Sequence, residues 1–385
     1  MASRGVRPHK EIDMAENPLR EIKRLGQSIW LDHIERELIT SGRLRRMIDE
    51  DGLAGLTSNP AIFEKAMSQA GPYDAAIRAR AGIGRDAKAL YEVLALEDVQ
   101  AAADVFAPVY ASSRGEDGYV SLEVSPHLAN DSDATIAEAR RLWRAFDRPN
   151  AMIKVPATRA GLGAIRALLF DGINVNVTLL FGLTRYAEVV DAFLDAMEAR
   201  AASGAPVENL ASVASFFLSR IDTLIDAKLP TTGTAAGLRG QAAIAAARLA
   251  YRHYRHWTGT ERWRRLVDAG ARPQRLLWAS TSTKNPAYSD VKYVEALIGR
   301  ETINTLPLET VAAYRDHGRP ALRLEENREH AEDVLDALRE IGLPLDEVAD
   351  QLERDGVRKF SEPFDRLIAT LDRRLAEAAR VTHPV

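Results

Sequence analysis

Short, nearly continuous apolar runs alternate along the chain with longer stretches in which apolar residues recur every three or four positions. The short runs are Ile29–Ile34, Gly55–Ser58, Tyr119–Val124, Ala151–Val155, Ile173–Thr178, Ser212–Leu218, Arg275–Ser280 and Thr302–Leu306. Their lack of polar alternation predicts strands covered on both faces, hence a parallel sheet. The intervening period predicts helices over Asp86–Ala107, Asp133–Phe146 and Thr184–Arg200, the last with Thr184 as its cap. Eight strand–helix pairs require about 250 residues. The excess length falls in an Ala-rich segment from Thr231 to Ala250, continuing to Gly270, and in helices after Gly318. The expected fold is α/β, a (β/α)8 TIM barrel with additional helices in insertions and at the C-terminus; a doubly wound open sheet is the alternative. Residues 14–385 are expected to form one barrel domain, and 1–13 a flexible tail.

Composition narrows the function classes. Of 385 residues 46% are hydrophobic and 28% charged, with a formal net charge of -4. That balance lacks the basic excess of a nucleic-acid partner. No cysteine is present, which excludes disulfides, thiolate metal sites and a cysteine nucleophile. No apolar stretch reaches the roughly 18–20 residues of a membrane span, and Met1–Asp13 has no apolar core of a secretory signal. The expected location is therefore cytoplasmic, with no membrane partner.

In such a barrel, chemistry gathers at the carboxyl ends of the strands. The polar residues interrupting the apolar runs there are Asp32, Asn59, Glu123, Lys154, Asn176, Thr178, Ser215, Arg220, Ser280 and Lys284. Lys154 lies in Ala-Met-Ile-Lys-Val-Pro-Ala-Thr, apolar on both sides. A desolvated amine loses its proton more readily and can attack a carbonyl; an edge-strand lysine reaching for water is the alternative. Glu123, on the preceding strand, can relay protons through a water, or pair with a cation. Asp32 can accept a hydroxyl proton, or cap a helix from His33 onward. Asn59 and Asn176 suit sugar hydroxyls, although Thr57–Pro60 also reads as a strand-to-turn connection. Ser215 with Arg220, and Ser280 with Lys284, place hydroxyls and cations after the late strands, where phosphate groups bind; Arg220 also reads as the start of a helix face with Asp222 or Asp226.

Other signals carry less. His253-x-x-His256 lies in a charged, aromatic stretch without a third ligand and reads as a solvated helix face. Gly161-Leu-Gly163 lacks the third glycine of a dinucleotide fingerprint and reads as a tight βα turn. Asn176-Val-Thr178 matches a glycosylation sequon, but within a core strand.

From about Asn17 to Leu371 the chain resembles the transaldolase family in its longer bacterial form. The matching pieces are Leu56-Thr-Ser-Asn-Pro-Ala-Ile-Phe63, Val120-Ser-Leu-Glu-Val-Ser-Pro126, Ile153-Lys-Val-Pro-Ala-Thr158, Asn176-Val-Thr-Leu-Leu-Phe181 and the paired late-strand motifs. The resemblance implies a Schiff base between Lys154 and the dihydroxyacetone part of sedoheptulose 7-phosphate or fructose 6-phosphate. It implies Asp32 as acid and base at the cleaved bond, and Glu123 with Thr178 as holders of a proton-relaying water. Asn59, Asn176 and Ser215 would bind the dihydroxyacetone hydroxyls, and Arg220 with Ser280 the phosphate. Glyceraldehyde 3-phosphate or erythrose 4-phosphate would be the acceptor, in the pentose phosphate pathway, with no metal or organic cofactor. Many members carry an arginine two residues after the serine matching Ser280; Ser282 stands here, and the second phosphate charge falls to Lys284. Two other classes compete: an aldolase releasing free dihydroxyacetone, and a non-catalytic sugar-phosphate binder. Phe217 separates the first, because related aldolases carry a tyrosine at the matching place and transaldolases a phenylalanine.

Overall fold

A computed structural model describes residues 17–69, 71–80 and 86–382. The tail expected over Met1–Asp13 lies outside the described residues. Eight parallel strands close into a barrel in chain order: β1 Gln27–Asp32, β2 Gly55–Thr57, β3 Tyr119–Glu123, β4 Ala151–Pro156, β5 Val175–Leu180, β6 Ser212–Phe217, β7 Arg275–Ala279 and β8 Thr302–Leu306. Each expected strand is present, and β8 closes the barrel on β1. The open doubly wound alternative is thereby excluded.

Helices wrap the outside because each strand hides both faces. Helix 87–112 begins behind Asp86, whose carboxylate accepts from Ala89 N, and helix 132–146 likewise begins behind Asp131. Three local expectations change. Helix 183–202 starts behind Gly182, and Thr184 instead donates to Asp346. Asp32 ends β1 rather than capping a helix; the next helix begins at Arg36 behind Glu35. Gly161 and Gly163 lie in helix 159–170, not in a turn. A Cβ on Gly161 would sit 1.9 Å from the Pro156 carbonyl oxygen, so glycine there serves close approach of helix to strand.

The Thr231–Gly270 segment forms a short 3-10 turn and two helices, Ala242–Trp257 and Glu261–Asp268, on the barrel exterior. Its His253 ring lies edge-on to Tyr186. The last helix, Leu345–Thr382, has 38 residues and thus spans about 57 Å. It packs on helix 60–68, on helix 219–228 and on β5, crossing the carboxyl ends of the strands. Gly356 makes that crossing close, since a Cβ there would meet Leu179 at 3.0 Å. Leu179 sits at φ +55° inside a register shift of β5 between Val177 and Leu180.

Candidate active site

The register of the strands assembles the site. Glu123 of β3 aligns with Lys154 of β4, which aligns with Asn176 of β5. Because side chains alternate along a strand, these aligned residues project into the barrel together. Lys154 is only 4% exposed. Its Nζ donates to the Ser58 carbonyl at 3.1 Å and stands 3.6 Å from a Glu123 oxygen. The second distance is an ion-pair contact but too long for a hydrogen bond. Ser58 is itself fixed by donating from Oγ to the Ser121 carbonyl at 2.7 Å.

Neither Glu123 carboxylate oxygen, nor the buried Thr178 hydroxyl, has a hydrogen-bond partner among the described residues. Burial pushes the Glu123 carboxyl up to about 7, against the opposing pull of Lys154; Asp32 adds to the rise and Arg220 opposes it. A carboxyl group poised there can both give and take a proton near neutrality. On the far side, Asn176 donates from Nδ2 to Ser121 Oγ at 3.0 Å, and Ser215 donates to Asn176 Oδ1 at 2.7 Å. This chain fixes the amide's orientation across β3, β5 and β6.

Asp32 is positioned from the closure of the barrel. Thr57 donates to its Oδ1 at 2.8 Å, and Thr57 and Thr305 share a hydrogen bond of 2.9 Å. Three strands, β1, β2 and β8, thereby hold one carboxylate. Asn59 caps helix 60–68, its Oδ1 accepting from Ile62 N at 3.1 Å while the side chain remains partly exposed.

Arg220 is the second residue of helix 219–228 and reaches inward. Its guanidinium lies 5.6 Å from the Phe217 ring centre and 5.7 Å from that of Phe360, and one terminal nitrogen is buried without a partner among the described residues. Desolvation lowers its pKa, while Asp32 and Glu123 oppose the fall. Ser280, at φ +55°, shares a hydrogen bond of 2.9 Å with Ser219 and so sits beside the start of the same helix. Lys284 stands apart. It is exposed, donates to Ser282 at 2.5 Å, and borders a pocket with Asp226 and Tyr288 rather than Arg220.

Phe360 had no signal as a site residue. It is 3% exposed, and its ring centre lies 6.0 Å from Lys154 Nζ. With Phe181 and Phe217, whose rings are 5.2 Å apart, it supplies an apolar wall around the lysine and arginine. Ser58, Thr57, Ser121 and Thr305 were also missed as positioning groups. Small polar residues inside otherwise apolar strands were the available signal; for Phe360, on a remote helix, there was none.

Comparison with known proteins agrees with this architecture. The family described as Transaldolase/Fructose-6-phosphate aldolase matches residues 29–371. A protein named Transaldolase from Trichodesmium erythraeum is 45% identical over 380 residues, covering 96% of this chain and all of the relative. Another of that name from Thiobacillus denitrificans is 46% identical over 357 residues, 92% of this chain and 99% of the relative. A third, from Mycobacterium bovis, is 45% identical over 371 residues, 95% of this chain and 100% of the relative. With the eight-stranded barrel and a buried lysine facing a carboxylate at its mouth, this chain belongs to the transaldolase/fructose-6-phosphate aldolase family.

Proposed function

We propose that this enzyme, a transaldolase by its relatives, transfers dihydroxyacetone from sedoheptulose 7-phosphate to glyceraldehyde 3-phosphate, giving erythrose 4-phosphate and fructose 6-phosphate, through an imine on Lys154. The observation that carries the assignment is the buried Lys154 amine, oriented by the Ser58 carbonyl and faced by Glu123. The amine adds to the ketose carbonyl to give a carbinolamine, which loses water to become the imine. A water between Glu123 and Thr178 carries protons for that loss and for the final hydrolysis. Asp32 takes the hydroxyl proton as the adjacent carbon–carbon bond breaks, leaving an enamine on Lys154 and releasing the aldose. The enamine then adds to the incoming aldehyde, and Asp32 returns the proton.

Asn59, Asn176 and Ser215 bind the dihydroxyacetone hydroxyls in this reading. Arg220 and Ser280 hold the phosphate beside the start of helix 219–228, where backbone N–H groups favour an anion. Lys284 adds positive charge from the rim. No resident cofactor enters the reaction, because the protonated imine itself accepts the electron pair. In this reading residues 14–385 act as one unit, since Phe360, in the helix that follows the barrel, stands over Lys154. No helix among the described residues is long and apolar enough to cross a membrane; we place the enzyme in the cytoplasm, in the pentose phosphate pathway.

Phe217 favours transfer over simple aldol cleavage. Its ring presents no hydroxyl to hold a water, so the bound three-carbon unit waits for an aldehyde. The test is a coupled assay with fructose 6-phosphate, run with and without erythrose 4-phosphate. Fast turnover only with the acceptor is expected, with borohydride trapping a three-carbon adduct on Lys154. Equal release of dihydroxyacetone without acceptor would assign the aldolase activity instead, and Phe217→Tyr should move the wild-type balance in that direction.

A further inference from the structure

A cleft of about 640 Å³ opens at the opposite pole, where the strands begin. Its volume suits a small metabolite. Five cations line it: Lys23, Arg255, Arg272, Arg275 and Arg300. Against them stand Glu116, Asp117 and Glu301. Five positive and three negative charges leave +2, within a chain whose net charge is -4. A concave surface of net positive charge with low-dielectric walls concentrates anions.

Two cations are already neutralised. Arg275 pairs with Asp117 at 3.2 Å, and Arg255 with Glu301 at 3.0 Å. Arg272 is different, because its partners are uncharged. It donates to the carbonyl oxygens of Gly115 and Arg114, each at 2.6 Å. Those bonds fix the guanidinium plane and bring it no carboxylate partner. Gly115 is what admits it: at φ +77°, a Cβ there would lie 2.6 Å from an Arg272 terminal nitrogen. Lys23 and Arg300 are exposed on the same rim, and among the described residues neither has a carboxylate at ion-pair distance.

We propose that this basal cleft binds a phosphorylated small molecule, its phosphoryl dianion held by Arg272, Arg300 and Lys23. The oriented Arg272 fork offers paired donors to a phosphoryl group, and the two exposed cations complete the charge. The site is distinct from the phosphate group at the mouth, which involves Arg220 at the other ends of the strands. Occupancy joins the Gly115–Asp117 loop to the starts of β7 and β8, so a bound ligand stabilises the barrel floor.

The test is calorimetric titration of the full chain with adenosine 5′-monophosphate and, separately, with inorganic phosphate. Wild type, Arg220→Ala, Arg300→Glu and the pair Arg272→Ala with Arg300→Glu are compared. At least one probe should bind wild type and Arg220→Ala alike. Arg300→Glu should weaken that binding about tenfold, and added salt should weaken it further. The double variant should lose it. Tighter binding of the nucleotide means that the cleft reads the organic body; equal binding means that the phosphoryl group alone suffices, and either supports the site. Arg300→Glu alters an exposed side chain, so unchanged transfer activity in that variant verifies its fold. Absence of binding by both probes at millimolar concentration overturns the proposal. So does loss of binding in Arg220→Ala with retention in Arg300→Glu, which would put the anion at the mouth.

Discussion

One buried carboxylate stands at each end of the barrel, Asp117 at the floor and Glu123 at the mouth, and the two are treated in opposite ways. At the floor, Asp117 accepts from Ser28 at 2.7 Å, from Trp30 at 3.2 Å and from Arg275 at 3.2 Å. Arg275 donates in turn to Ser28 and to the Thr302 carbonyl. At the mouth, among the described residues, Glu123 has no hydrogen bond on either oxygen, and Thr178 and one Arg220 nitrogen are likewise unpartnered. A buried polar group without a partner is destabilising by about 1–3 kcal/mol. The Asp117 network therefore ties the strand starts together, whereas Glu123 is kept without hydrogen-bond partners at the expense of stability.

Four substitutions break or sharpen that contrast. Lys154→Arg should lower transfer about 10⁴-fold or more and abolish borohydride trapping, since a guanidinium stays protonated. Its melting temperature should be nearly unchanged, measured by calorimetry. Glu123→Gln should lower kcat by about 10²–10³-fold. In the wild type, the acid limb of the kcat/KM profile should fall off below about pH 7, and the variant should lack that limb. The sign for stability runs the other way. Because the Glu123 carboxyl is raised in the folded state from an ordinary 4.5 to about 7, the folded protein holds a proton that the unfolded chain has released. Its contribution to stability thus falls as pH rises through that window, and Glu123→Gln should flatten the dependence of melting temperature on pH there.

Asp117→Ala should act at the floor alone. It leaves Arg275 without its carboxylate and Trp30 without its acceptor, and should reduce unfolding free energy by roughly 3 kcal/mol in denaturant titration. The kcat of the molecules that remain folded should be unaltered. A collapse of kcat with intact stability would mean that the two poles are not separate. Phe360→Ala should have the smallest effect, raising acceptor-independent release of dihydroxyacetone about tenfold as water reaches Lys154. The ratio of released to transferred product measures it.

The barrel was legible because its strands are apolar on both faces and contiguous in sequence, so that each run of Val, Ile, Leu and Ala announces one strand. Glu123, Lys154 and Asn176 were legible for the complementary reason: a charge or amide inside such a run needs a purpose. What was not legible depends on closure and on distance along the chain. The Thr57–Thr305 bond joins β2 to β8 across 248 positions, and Asp117 meets Arg275 across 158. Neither pair has a local pattern, since a threonine or an aspartate beside a strand is ordinary. Thr184 was misplaced as a cap because two such positions compete within a residue or two, and its bond to Asp346 belongs to the last helix. The glycines at 161 and 163 were misread because close approach of a helix to a strand and a tight turn both select glycine.

The placement of Phe360 also orders events in time. Synthesis at ~5–20 residues per second brings Phe360 into being ~10–40 s after Lys154, about 200 residues earlier in the chain. During that interval a growing chain can hold all eight strands, which end at Leu306, without the helix that roofs the lysine. A nascent barrel therefore has Lys154 before it has its cover. On the proposed reading, the apolar cover over Lys154 is completed only after the strands, and chains released before Phe360 would be expected to leak a bound three-carbon unit to water.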